Sequence, residues 1–334
     1  MCLNFEYYGS NTVATRPPQR GGSFERRRAK GDFSISGSQL ATFSKIAQPP
    51  PALVAKLLAQ NLLIEDTTLA LQYITFVGHY RLKGYWFHLI DPNTKQFKPG
   101  TSFEMIRDRY EFDREIRAHI LEAVERLEVA IRNVLCNFLS LKYSPHWYLD
   151  SKLFKPVRKF GIGQMLSKIE GEVDRSTDKK FIQAYYAAYD DPYLPPSWAM
   201  SECVTLGMWS RTYKILRDPN DKKAISAKFG ISQIEVFESW LHTLTVLRNM
   251  AAHHDRFLHH KLGVAPTNHR AGNIKFSDNK SVYSALTVTH VLLDAIGFNS
   301  TFRQRLMDLQ IKYGMGMMQE LGFPNNWPLN AVGW

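Results

Sequence analysis

The chain has 334 residues, 44% hydrophobic and 22% charged, ample apolar content for a core in one large domain or two smaller ones. Its net charge of +11 and pI near 9.4 point to an anionic partner, nucleic acid before membrane. No run approaches the about 20 apolar residues of a membrane span, the N-terminus lacks the pattern of a secretion signal, and Cys2, Cys136 and Cys203 have no metal-ligand spacing, so a cytoplasmic protein in a reducing compartment is expected.

Residues 1–44 mix Gly, Pro, Ser and Arg without hydrophobic periodicity and are expected to form a disordered basic arm. Residues 1–31 carry +4 of the net charge, leaving +7 for the rest, so the folded part is basic in its own right. Arg26-Arg27-Arg28 is first a solvated charge run and second a contact for RNA phosphates. Pro49-Pro50-Pro51 punctuates the start of the folded part. Helical spacing follows over Ala52–Asn61, and a second short helix over Thr67–Val77 closes at Gly78. This small N-terminal helical extension braces the main bundle.

Tyr80, Tyr85, Trp86 and Phe87 surround Arg81 and Lys83. Aromatics at this density are usually core; the alternative is rings that stack bases while the two cations hold phosphate. Turns at Asp91-Pro92-Asn93 and Pro99-Gly100 lead to the longest helical signal, Phe103–Leu141. Its apolar face runs through Phe112, Ile116, Ile120, Val124, Leu127, Ile131 and Leu135, and its length leads us to expect at least one break. Charges crowd its middle; Glu125 or Glu128 is the candidate partner for an arginine on a neighbouring helix. Cys136 sits in an apolar run as a small core residue.

Pro145-His146-Trp147-Tyr148 interrupts the helices. Residues 151–180 are rich in lysine and arginine, a solvated face or an approach path for RNA. Another helix starts at Ser197-Trp198-Ala199-Met200, and Asp218-Pro219-Asn220-Asp221 reads as a turn. Ser232-Gln233-Ile234-Glu235 has capping-box spacing and opens an amphipathic helix through Phe237, Trp240, Leu241, Leu244 and Leu247.

That helix ends in Arg248-Asn249-Met250-Ala251-Ala252-His253. An arginine fork holds phosphate oxygens, an amide donates and accepts in fixed orientation, and an imidazole exchanges protons near neutral pH. On an ideal helix Arg248 and His253 point roughly 140° apart. Either the helix breaks near Ala251 or a second copy of the motif completes the site. The run His253-His254-Asp255 with His259-His260 invites a metal, and Asp255 and His259 share a face if the helix continues, but no third ligand stands at a set distance and no metal is expected. Beyond it, 268–279 is loop, Val282–Ile296 an apolar helix, and Thr301–Leu321 a helix whose Met315, Met317 and Met318 pack.

Arg248-Asn249 followed by His253 resembles the R-N-x-x-x-H form of the HEPN ribonuclease motif. His79-Tyr80-Arg81-Leu82-Lys83-Gly84-Tyr85-Trp86 after Gly78 is similar to the G-Y-Y-R-L-S-G-Y-W block of Abi-like abortive-infection proteins, with His79 for the commoner aromatic and Lys83 for the serine. Phe112-Asp113-Arg114-Glu115-Ile116-Arg117 and Glu122–Arg132 look like that family's central helix, and Leu206-Gly207-Met208-Trp209-Ser210 resembles its short connection before the next helix. A second Arg132-Asn133 pair has no histidine after it, so each chain carries one motif.

The resemblance covers residues 45–262 and implies an all-α, HEPN-type helical bundle, with 263–334 as a C-terminal helical extension packed on the same domain. It implies a homodimer whose motifs face each other and a metal-independent endoribonuclease of abortive-infection defence with no cofactor. Arg248, Asn249 and His253 are then catalytic, His254, Glu125 and Glu128 supporting, and Arg81, Lys83 and Arg256 bind RNA. The rival is a non-cutting RNA-binding protein partnered by a structured small RNA. A metal-dependent hydrolase is the third alternative, and in a fourth the motif only bonds to neighbouring acids and carbonyls.

Overall fold

Proline at the first helical position needs no amide partner, and Pro50 opens α1 (Pro50–Ala59) in that place. The computed structural model describes residues 43–297 and 300–327; the arm expected over 1–44 lies outside them but for its last two residues. All the helices fall within one unit, Gln48–Trp334, so the chain divides at 47/48 and the segment after 262 shares the unit with the motif. Among the described residues there is no strand, only isolated bridges such as Ile90 with Phe97, and the fold is all-α.

Asp66 caps α2 (Thr67–Tyr73) by accepting the Leu69 amide at 2.9 Å. The chain widens into a π turn over Ile74–Gly78, and Gly78, at φ +94°, turns it into α3 (His79–Trp86). A side chain there would strain the backbone. The dense aromatic block divides: Tyr85 and Trp86 are buried as expected, whereas Tyr80 is 92% and Phe87 52% exposed.

The long helix α4 (Phe103–Lys142) runs 40 residues without the expected break. It contains neither Pro nor Gly, and all seven residues of the expected apolar face are fully buried. Along that face it receives α3, α7 (Ser197–Met200), α8 (Leu206–Ile215), α9 (Pro219–Ala227), α10 (Ile234–Ala252), α11 (Val282–Ala295) and α12 (Phe302–Tyr313). Continuous burial therefore holds the helix together where length alone suggested an interruption. α5 (Ile162–Asp174) and α6 (Lys180–Ala188) precede α7.

Four local expectations are corrected. Leu206–Ser210 is not a connection but the start of α8, which buries Leu206, Met208 and Trp209. Asp218-Pro219 is not a free turn: Asp218 accepts the Asn220 amide at 2.8 Å and Pro219 opens α9. Ser232 does not cap α10; Gln233 stands at the cap without a side-chain bond, because burial of Ile231 and Val236 starts the helix one residue later. The single helix expected over Thr301–Leu321 is divided by Gly314, at φ +85°, into α12 and α13 (Met315–Glu320). Met318 is buried and Met315 and Met317 pack against the core, as expected of that cluster.

Candidate active site

Arg248 and Asn249 lie in the last turns of α10, and His253 is the residue just past its end. The helix ends close to Ala251, at Ala252, while the His253 amide still donates to the Asn249 carbonyl at 2.9 Å. The reversal comes one residue later, where His254 takes φ +59°. Its amide donates to Ala251 O at 3.2 Å and the Asp255 amide to Met250 O at 2.9 Å, a helix cap that glycine normally provides. Asp255 and His259 therefore share no helix face, and among the described residues no group of three or more potential ligands gathers to hold a metal.

A buried carboxylate holds this cap in place. Asp113 of α4, fully buried, accepts the Phe257 amide at 2.8 Å and the Leu258 amide at 3.1 Å on one oxygen. Its other oxygen accepts the Tyr85 hydroxyl of α3 at 2.8 Å and pairs with Arg117, one helical turn on. Arg117 also donates to the Asp255 carbonyl at 3.3 Å, and Arg81 of α3 to the His254 carbonyl at 2.5 Å. Burial pushes the Asp113 carboxyl up, opposed by the Arg117 charge, the Tyr85 hydroxyl and the two amides. With both oxygens accepting, the group is set up as an acceptor, and α3, α4 and the cap after α10 form one hydrogen-bonded unit.

Arg248 stands beside the buried stripe, its side chain 35% exposed, with Nε 3.9 Å from Glu128 Oε2 and Nη1 donating to Asn249 Oδ1 at 3.3 Å. Glu128 holds its position by accepting the Leu206 amide at 2.8 Å at the start of α8. Glu125, the other expected partner, is exposed and bonds to no described residue. His253 is exposed, and no described residue bonds to its ring. Since α10 stays helical to Ala252, the roughly 140° divergence of Arg248 and His253 persists within one chain.

Arg81, Lys83 and Arg256, expected to bind RNA, line one open cavity of about 600 Å³ with Tyr80, Phe87 and His254. Arg81 spends one amine on the cap, Lys83 is free of ion pairs with described residues, and Arg256 lies over the Phe87 ring at 5.5 Å with Nη1 buried and unpartnered. A Cβ on Gly84 would sit 3.2 Å from that nitrogen, a tight contact that the arginine would have to relieve.

A family model described as Abi-like protein matches residues 72–259, more than half of the chain, from α2 to just beyond the clamped cap. The chain belongs to the Abi-like proteins. No curated protein and no solved structure matches it. Membership supports a role in abortive-infection defence.

In this Abi-like chain, α12 and α13 lie beyond the matched span, yet they fasten onto it. Glu320 of α13 pairs with Arg109 of α4 and lies 3.1 Å from His259 Nε2. Sequence reasoning left Asp113 and Arg117 without roles and gave Tyr85 only a place in the core. One signal was available: an Asp–Arg pair spaced four apart, beside Phe112 and Ile116 on an otherwise apolar stripe, must find partners when buried. Among the described residues no helix is long and apolar enough to cross a membrane.

Proposed function

We propose that this Abi-like protein is a HEPN-type, metal-independent endoribonuclease that acts in abortive-infection defence on RNA. The observation that carries the proposal is the end of α10: an open imidazole, an amide and a half-buried guanidinium on a cap clamped by Asp113, beside a cationic cavity. In the step proposed, the ribose 2′-hydroxyl attacks the adjacent phosphorus, forming the O2′–P bond as the P–O5′ bond breaks. His253 takes the 2′ proton or supplies one to the departing 5′ oxygen. Arg248 neutralises charge gathering on the phosphoryl oxygens, and Asn249 orients the phosphate. The products are a 2′,3′-cyclic phosphate and a 5′-hydroxyl, and DNA, lacking the nucleophile, survives.

One imidazole cannot readily serve both oxygens at once, and Arg248 and His253 diverge on their own helix. A two-fold homodimer with its motifs facing one another supplies two histidines and two arginines to one cleft, which supports the dimer as the working unit. The test is purified protein incubated with mixed RNA in chelator, beside His253→Ala. We expect cleavage by the parent chain and a loss of about 10²–10⁴-fold in the variant. RNA that is bound but uncut by the parent chain would favour the non-cutting RNA-binding alternative, and activity abolished by chelator would favour a metal-dependent hydrolase.

A further inference from the structure

A second cationic cavity, of about 1060 Å³, lies between the segment before α5, α8 and the N-terminal half of α10. Its rim carries Lys155, Arg158, Lys159, Lys168, Arg211 and Lys214. None of the six makes an ion pair with a described acid, whereas Arg117, Lys142, Lys222 and Arg305 all do. Two acids also line it, Glu235 and Glu238, but Glu238 is taken by Lys222, a lysine 2% exposed whose ammonium must be paired. Glu235 is the one lining acid left against the six cations, so the cavity holds a concentrated, net positive charge. Unpaired like charges repel one another unless an anion comes between them.

The walls are fixed. The Lys155 amide donates to Ile215 O at 2.8 Å and the Arg217 amide to Leu153 O at 2.9 Å, pinning the basic segment to the end of α8. Phe160 is half-buried within the cavity, with the Arg211 guanidinium 5.2 Å and the Lys168 ammonium 5.9 Å from its ring centre. Burial, Lys214 and Arg211 lower the pKa of His242 on the α10 wall, a sign of the same positive field.

Register links the cavity to the motif. Asn249 and His253 follow His242 by seven and eleven residues, which at 100° per residue puts all three within about 20° of one face of α10. His253 lies ~16 Å along that face at 1.5 Å per residue. That span matches about five nucleotides of a stacked strand at ~3.4 Å each.

We propose that this groove holds a single-stranded stretch of RNA flanking the scissile linkage, its phosphates on the six cations and a base against Phe160. Stacking on an aromatic ring with cations along the backbone suits single strands of any sequence. The proposal rests on the nuclease assignment for which linkage is cut, but the binding it describes is measurable without cleavage.

The test uses the full chain and a fluorescein-labelled, mixed-sequence 2′-O-methyl RNA of twelve nucleotides, which binds without offering a nucleophile. We expect Arg211→Glu/Lys214→Glu to weaken binding at least tenfold and to flatten its salt dependence. Lys223→Glu/Lys228→Glu, an equal charge change on exposed lysines of α9 and its C-cap outside the cavity, should weaken it less than threefold. Cleavage of long RNA should fall with binding, while a dinucleoside monophosphate, too short to reach the groove, should be cut as before. If the groove variant binds RNA like the charge-matched control, the proposal is overturned even where His253→Ala has abolished cleavage. If His253→Ala leaves cleavage intact while the groove variant loses binding, the nuclease assignment falls and the groove assignment stands.

Discussion

Asp113 Oδ1 accepts the amide of Phe257 at 2.8 Å, joining the first third of α4 to a cap 144 residues further along the chain. Removing this carboxylate leaves Arg117 buried without its partner and frees two amides and the Tyr85 hydroxyl. Breaking such a buried pair costs about 3–5 kcal/mol. Asp113→Ala should therefore lower the free energy of unfolding by that amount, and Asp113→Asn, which keeps an acceptor, should cost less. Urea unfolding of both variants checks this; equal, small losses would show that the clamp contributes little.

His254 occupies a left-handed conformation, φ +59°, with its side chain exposed. An L-residue in that region costs roughly 1–2 kcal/mol, partly offset in any glycine variant by the looser unfolded chain. His254→Gly should thus raise stability by about 1 kcal/mol or less and leave RNA cleavage intact. A large loss of cleavage with unchanged stability would instead give the His254 imidazole a direct part in the chemistry.

Arg248 and His253 diverge on α10, so the shared cleft proposed above makes a distinctive prediction for mixed subunits. Arg248→Ala and His253→Ala should each be inactive alone. Mixed in equal amounts and allowed to exchange, they should recover activity that neither variant has alone, because half the dimers then bring one intact Arg248 and one intact His253 to the shared cleft. No recovery after verified exchange would mean that each chain uses its own pair.

His88 packs edge-on against His259, ring centres 4.5 Å apart, with Nδ1 buried and unpartnered. Burial, then the charges of Arg109, His259, Lys98 and Arg256, pull its pKa down to about 4. The unfolded chain, with an ordinary histidine value of about 6.5, therefore binds more protons than the folded one between those limits. The stability held by neutral His88 is fully present above pH ~6.5 and drains away as the pH falls towards 4. Melting temperatures should drop across that window, and His88→Gln should drop less; parallel curves would remove His88 as a source of the acid sensitivity.

Much of this protein is written locally. Three- and four-residue spacing marks the buried face of α4 from Phe112 to Leu135, and the same spacing shows α10 running up to Arg248, because periodicity records which side of a helix leaves water. The three blocks quoted from the sequence were enough to point to the Abi-like family. Partners distant in sequence leave no such trace. That Glu128 rather than Glu125 lies by Arg248, that Tyr85 is buried while Tyr80 stands in solvent, and that Asp113 secures the turn after His253 all follow from how α3, α4 and α10 pack. The basic segment after Leu153 was legible as charge, but only its pinning against α8 and α10 turned that charge into a groove. Local pattern determined which residues leave water, and tertiary packing alone decided which of the remaining polar groups meet.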